Sequence, residues 1–241
     1  MVRIFATLGG LVLAALLAGP VGAAELDRSD VETIVREYLN ENPNVIYEAV
    51  EKHQRQLAEE AKRQQDSALA ANYATLVEGA PTVGATDMDA ITVVEFFDYN
   101  CGYCKRSMDA ILQVLESEAD VRFVFVEFPI LAPSSRTAAL AALAADRQGA
   151  YFAFHRALMQ HRGALTDTRV MEIAQEIDLD MAQLAQDMED AEVVAALERN
   201  AMVGEAVGVQ GTPFFLVNQK AYPGWLDEET LRSAITEARS G

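Results

Sequence analysis

Only two cysteines occur in the 241 residues, Cys101 and Cys104, separated by Gly102-Tyr103 at the junction of two dissimilar runs. Upstream, Ile91-Thr92-Val93-Val94-Glu95-Phe96-Phe97 is β-branched and aromatic, which reads as a buried strand. Asp98 and Asn100 make a turn, and beyond Lys105 the residues Met108, Ile111, Leu112 and Leu115 recur at helical spacing. The pair is therefore expected where a strand hands over to the first turn of a helix. First-turn amides have no partner inside the helix, and the macrodipole places partial positive charge there. A thiolate on Cys101 is favoured in such a place, with Lys105 and Arg106 adding positive charge. Settings of this kind lower a cysteine pKa from ~8.5 to roughly 3.5–7.5. Each unit below the working pH favours the reduced pair by about 1.4 kcal/mol, or about 30 mV. Cys104, one turn in, is expected to be less exposed and to serve as the resolving thiol.

Other uses of the pair fit poorly. A structural zinc site needs four ligands, and only three widely spread histidines, His53, His155 and His161, could assist. Haem attachment requires a histidine after the second cysteine, where Lys105 stands. A structural disulfide closing so short a loop adds little stability. Thiol redox chemistry remains, with no cofactor and no resident metal expected. Glu95, six residues before Cys101, is a carboxyl in an apolar run; its pKa is expected to be raised, fitting it to shuttle a proton to Cys104. The alternative is that it points to a polar side and is solvated, although Val93 and Phe97 share its face. His155 and His161 are six apart and do not share a helix face, so the histidines read as packing or surface residues. Tyr222 and Trp225 read as core or rim aromatics.

Residues 1–24 have the pattern of a secretory signal peptide: Arg3, an apolar core from Ile4 to Leu17, Gly19-Pro20, then small residues. Cleavage is expected after Ala24 or Ala23; the alternative is an uncleaved anchor, for which the apolar run is short. Loss of Arg3 takes the formal charge from -18 to -19. So acidic a chain argues against nucleic acid and anionic membranes as partners. Export leads to an oxidising compartment, the periplasm, where a close cysteine pair can be catalytic.

A short helix is expected over Ser29–Asn40, capped by Ser29 with Glu32 three residues on. Asn42-Pro43-Asn44 interrupts it, and Asn44 caps a longer helix carrying Val45, Ile46, Ala49, Val50, His53 and Leu57 on a stripe. This arm, residues 25–75, has no core of its own; it packs on the rest of the chain or on other copies of itself. Residues 76–88, with Gly79, Pro81 and Gly84, read as a linker. A second strand is expected over Val121–Phe128, then helices over Ser134–Arg147, Tyr151–His161, Thr168–Ile177, Met181–Met188 and Val193–Val207. Strands at Phe214–Val217 and Lys220–Tyr222 and a helix over Asp227–Arg239 complete the chain. The order β-α-β, helical insert, β-β-α is an α/β arrangement.

The run Phe96-Phe97-Asp98-Tyr99-Asn100-Cys101-Gly102-Tyr103-Cys104 resembles the active site of DsbA-family thiol–disulfide oxidoreductases, and within them the ScsC-like (suppressor of copper sensitivity) subgroup. Its Cys-Gly-Tyr-Cys motif is also DsbC-like. The resemblance extends to Phe128-Pro129-Ile130-Leu131, Gly149-Ala150-Tyr151-Phe152-Ala153-Phe154-His155 and Gly211-Thr212-Pro213. It implies a thioredoxin fold over 89–241 with a helical domain inserted at about 134–207, preceded by the helical arm. Val35 to Pro43 resembles the ScsC-type oligomerisation region, implying a dimer or trimer through residues 25–75. It further implies that Pro213 is a cis-proline facing the cysteines, leaving the Thr212 backbone free to pair with an extended substrate, and that an acidic residue at Glu95 is a family feature.

The leading expectation is a periplasmic disulfide isomerase acting on cysteine-containing exported proteins, with a membrane redox partner resetting its disulfide. Gly102-Tyr103 lacks the histidine of the most oxidising members, threonine before the proline is what isomerases carry, and an oligomerising arm gathers several sites around one client. The alternatives are a DsbA-like dithiol oxidase and a copper-handling thiol protein, since two thiolates bind Cu(I).

Overall fold

The computed structural model describes residues 26–240, in two compact units that divide between Gln56 and Leu57. The leader expected over 1–24 lies outside the described residues. In the first unit, α1 (Arg28–Glu41) is capped by Asp27 and not by the expected Ser29. Asp27 accepts from the Asp30 amide at 2.9 Å, and Asp30 accepts from the Asp27 amide at 3.1 Å. That reciprocal pair satisfies two free donors at once. No residue of α1 is buried, and Val31, Ile34, Val35 and Tyr38 are exposed. α2 (Asn44–Val77) is one helix of 34 residues. Of its turns in the first unit, Val45, Ile46 and Val50 are exposed as well.

The second unit starts inside α2, at Leu57 rather than after residue 75. Sequence reading saw only the polar residues from Glu59 to Asp66. Leu69 and Leu76 are nevertheless buried, with Ala68, Tyr73 and Val77 packed beside them against Val94, Phe96, Val124 and Val126. Spacings of three and four put a narrow apolar stripe on the sheet while the rest of each turn stays polar.

β1 (Thr82–Gly84) lies within the expected linker, and β2 (Ile91–Phe97), α3 (Gly102–Ser117) and β3 (Val121–Glu127) follow. Then come α4 (Pro133–Asp146), α5 (Tyr151–Gln160), α6 (Asp167–Glu176), α7 (Met181–Met188) and α8 (Ala191–Ala206). β4 (Phe214–Val217), β5 (Lys220–Pro223) and α9 (Glu228–Ser240) complete the second unit. The sheet order is β1-β3-β2-β4-β5, with β2 and β3 parallel and the other neighbours antiparallel. This is the expected α/β order, the one addition being the edge strand β1. Three residues ending in glycine give no periodicity to read.

Every residue of β2 is buried because the strand is central and covered on both faces. Val93 and Phe97 face a core shared with α3, α9 and the insert, whereas Val94 and Phe96 face α2 and α8. In the insert, the alanines of α4 are buried and let α5, α6, α7 and α8 pack around it. Pro133, not Ser134, opens α4. Its fixed φ suits the first helical position, and the Ser135 hydroxyl accepts from the Ala132 amide at 3.2 Å. Asn218, at φ 52°, turns β4 into β5 in a left-handed conformation that asparagine tolerates.

Candidate active site

Cys101 is the N-cap of α3, with φ -79° and ψ 114°. Its amide donates to the Asp98 carbonyl at 2.9 Å, and its carbonyl accepts from Lys105 at 3.1 Å, so the strand-to-helix turn closes around it. The Cys104 amide donates to Cys101 Sγ at 3.4 Å, and Cys101 Sγ–H donates to the Thr212 carbonyl at 3.2 Å. Cys101 is 5% exposed and Cys104 1%. Gly102 and Tyr103 between them are exposed. Both thiols are free.

The Cys101 pKa is lowered to about 6. The chief cause is the Cys104 thiol, which donates to the Cys101 thiolate; burial opposes this, while the Thr212 hydroxyl and the Cys104 and Tyr103 amides support it. Helix-start amides thus contribute as expected, and the Lys105 ammonium is coupled to the Cys101 charge, although its hydrogen bond goes elsewhere. Lys105 Nζ donates to the His161 carbonyl at 2.9 Å, and the Arg106 guanidinium lies 5.3 Å over the Tyr103 ring. Each basic group is turned toward another partner. Burial first, then the hydrogen bond to Cys101 and the nearby Glu95 charge, pushes the Cys104 thiol well up. One sulfur is ionised at neutral pH and the other holds its proton.

Glu95 is 1% exposed, opposite Phe125 on β3 and Phe215 on β4, which settles its orientation as buried and not solvated. Its Oε1 has no hydrogen-bond partner among the described residues. Burial, then the Cys101 charge, then Glu127, raises its pKa well above the usual carboxylate range. The Thr212–Pro213 peptide bond is cis. The Thr212 hydroxyl is buried without a partner in the resting geometry, free to donate once Cys101 is ionised. The structure therefore brings Cys101, Cys104, Glu95, Thr212 and Pro213 together at one end of β2 and β4. His53 and Trp225 are exposed, His161 and Tyr222 are half-buried, and His155 is fully buried.

Two groups escaped the sequence reading. Asp98 is buried and acts as a clamp: Oδ2 accepts from the Ile130 and Leu131 amides at 2.8 and 2.9 Å. Its Oδ1 accepts from the Asn100 amide at 2.7 Å and the Ser135 hydroxyl at 2.8 Å. One carboxylate thus ties the cysteine loop to the loop before α4. Behind it, Glu127 Oε1 accepts from the Tyr99 and Tyr151 hydroxyls, both at 2.9 Å, and Tyr99 Oη lies 3.1 Å from His155 Nδ1. Burial lowers the His155 pKa to about 3, so the ring is neutral. Glu127 could have been found by the argument used for Glu95, since both are carboxyls in apolar strands on the same alternation. Tyr151 and His155, four apart, share a helix face.

The DSBA-like thioredoxin domain model matches residues 92–236, and the model of the copper resistance protein ScsC N-terminal domain matches residues 27–60. The structure of a thioredoxin-like oxidoreductase from Silicibacter pomeroyi DSS-3 is similar at 41% identity, covering 70% of this chain and 99% of that one, with a TM-score of 0.67. Proteus mirabilis ScsC in a transitional conformation is similar at 26% identity, covering 88% and 96%, with a TM-score of 0.65. Among curated proteins, the Na(+)/H(+) antiporter NhaA 1 of Salinispora arenicola is 31% identical over 153 residues, 63% of this chain and 24% of that protein. The chain spans about a quarter of the length of the curated relatives it matches first.

Proposed function

This chain belongs to the DSBA-like thioredoxin domain family, and we propose that it acts as a thiol–disulfide oxidoreductase whose main work is disulfide isomerisation in exported proteins. One observation carries the reading: the Cys101 sulfur, at the opening turn of α3, is held between the Cys104 amide and Thr212 with its pKa near 6. The Cys101 thiolate attacks a client disulfide, forming one S–S bond and releasing the other client sulfur as thiolate. A client thiolate then displaces Cys101, leaving a rearranged disulfide. Alternatively Cys104 displaces the client, which departs reduced while Cys101–Cys104 is oxidised. In that second route Glu95 relays a proton: it takes the one that Cys104 gives up and passes its own on to the departing client thiolate, ending as it began. Burial first, and then the Cys101 charge, hold the Glu95 proton in the resting pair; the second of these is gone once Cys101 is in the new bond, which eases the relay.

The preference for isomerisation is supported by Gly102-Tyr103 between the cysteines, by Thr212 before Pro213, and by the arm. Val31, Ile34, Val35 and Tyr38 of α1 and Val45, Ile46 and Val50 of α2 are exposed apolar side chains at helical spacing. They suit burial against further copies, as a dimer or trimer, which gathers several thiolates around one misfolded client. Location in the periplasm, with a membrane redox partner that resets the disulfide, follows from the leader pattern and the family. Refolding of a scrambled disulfide protein tests the reading. The chain from residue 25 onward is expected to restore native pairing, and the chain from Leu57 onward to lose most of that activity while its thiols still react. Equal activity of the two would remove the arm from the account. Shortening to residue 75 is no test, because it strips Leu69 and exposes the sheet face it covers.

A further inference from the structure

Two buried carboxyls stand on one face of the sheet. Glu95 on β2 pairs with Phe125, and Glu127 on β3 pairs with Phe97, so the two lie two positions apart along paired parallel strands. Alternation turns both side chains to the face that carries Phe97 and Phe125, and each is 1% exposed. Their surroundings differ in one respect. Glu127 Oε1 accepts from two hydroxyls, those of Tyr99 and Tyr151, whereas Glu95 Oε1 accepts from none among the described residues. A buried charge is tolerated where donors meet it and costly where they do not. Glu127 is therefore the better seat for a negative charge, and Glu95 the better seat for a proton.

Among the described residues no cation faces that pair. Tyr99 and Tyr151 keep their protons, because burial and the Glu127 charge push both phenols well up. His155 on α5, 3.1 Å from the Tyr99 hydroxyl, is neutral. The Asp98 carboxylate, in the turn after β2, bears on Glu127 as a further negative charge. Around Glu95, α3 supplies the Cys101 and Cys104 sulfurs, β4 supplies Phe215, and α9 brings Leu231, Ala234 and Ile235 to the same core. Like charges in so apolar a place compete, and the one that ionises holds the other's proton in place. When Cys101 is bonded to a client its own charge is gone, and burial and Glu127 are what still hold the Glu95 proton.

We propose that Glu127, seated between the Tyr99 and Tyr151 hydroxyls, is a positioning residue that sets how firmly Glu95 holds its proton while Cys104 releases the client. The proposal rests on the oxidoreductase reading and its Glu95 relay, and adds the group that tunes the relay. It gives the two tyrosines, one of them two residues before the nucleophile, a task beyond packing.

The test follows attack and release separately, by rapid mixing with an unfolded polypeptide that contains a disulfide, as a function of pH. In Glu127→Gln the midpoint of the release phase is expected to fall by about one pH unit, since loss of a nearby like charge makes Glu95 more acidic. Tyr151→Phe keeps the ring and removes one donor, so Glu127 carries less charge and the midpoint moves the same way by a smaller step. The attack phase keeps its midpoint in both, because neither Glu127 nor Tyr151 is among the groups that shift Cys101. A purely structural role would slow both phases and move neither midpoint. A release midpoint that stays put in E127Q, or rises in either variant, would overturn the proposal. Where the thermal transition shows E127Q unfolded, Y151F decides by the same criterion. A release midpoint that survives Glu95→Gln would remove the relay itself, and the role of Glu127 with it.

Discussion

Cys101→Ser is expected to lower disulfide exchange by roughly a thousandfold or more, because a serine hydroxyl in the same seat is not ionised near neutral pH. The groups that touch the sulfur hold charge there against the cost of burial: the Cys104 thiol and amide and the Thr212 hydroxyl all favour the thiolate. Cys104→Ser separates the two roles. It leaves a nucleophile, so the first attack continues and a mixed disulfide accumulates that mass spectrometry can count. Loss of the Cys104 thiol also removes the largest cause of the low pKa, so Cys101 in that variant should ionise at higher pH. A C101S chain that still exchanged disulfides, or a C104S chain that trapped none, would reassign the nucleophile.

The second large effect is on the Cys104 step. Glu95→Gln keeps the shape but cannot accept a proton, and release of the client by Cys104 should slow by about a hundredfold, the usual scale for a lost general base. Attack by Cys101 should change only a few-fold. Rapid-mixing measurements of the two phases distinguish this from a general loss of structure, which would slow both. Glu95→Leu adds a stability readout. The Glu95 pKa in the folded chain is raised above its unfolded value, so its favourable contribution exists below the unfolded pKa and is lost as pH rises through the folded one. At neutral pH the carboxyl therefore costs stability. E95L should melt higher than the unaltered chain, by a margin that widens with pH.

Much of this site could be read from the chain because it is local. A buried strand, a turn and a helix start within sixteen residues fix where Cys101 stands and which amides face it, and Glu95 follows from strand alternation. For Lys105 and Arg106 proximity was legible but direction was not, and the Lys105 ammonium still feels the Cys101 charge. Both lie beside the cysteines in sequence, but their long side chains reach the His161 carbonyl and the Tyr103 ring instead. What stayed hidden depends on tertiary neighbours. Asp98 looked like a turn residue until Ile130, Leu131 and Ser135 arrived from the far side of β3. Glu127 on β3, Tyr99 in the turn after β2 and His155 on α5 meet only on folding. The placement of α2 was misread because Leu69, Tyr73 and Leu76 are few among polar neighbours, though their spacing carried the signal.

The thiolate also sets the redox balance of the pair. Cys101 is depressed from an ordinary 9.0 to about 6, so its stabilising contribution is complete above the ordinary value and is lost as pH falls through the lower one. At pH 7 it favours the reduced fold by about 1.4 kcal/mol, or about 30 mV. That contribution makes the disulfide form a better oxidant than one formed from two ordinary thiols. Thiolate absorbance of the reduced chain followed from pH 3 to pH 10 addresses this charge directly. The account predicts one sulfur ionising with a midpoint near 6, absent in C101S, while the second stays protonated throughout. A midpoint above pH 8, the behaviour of an ordinary free thiol, would contradict it.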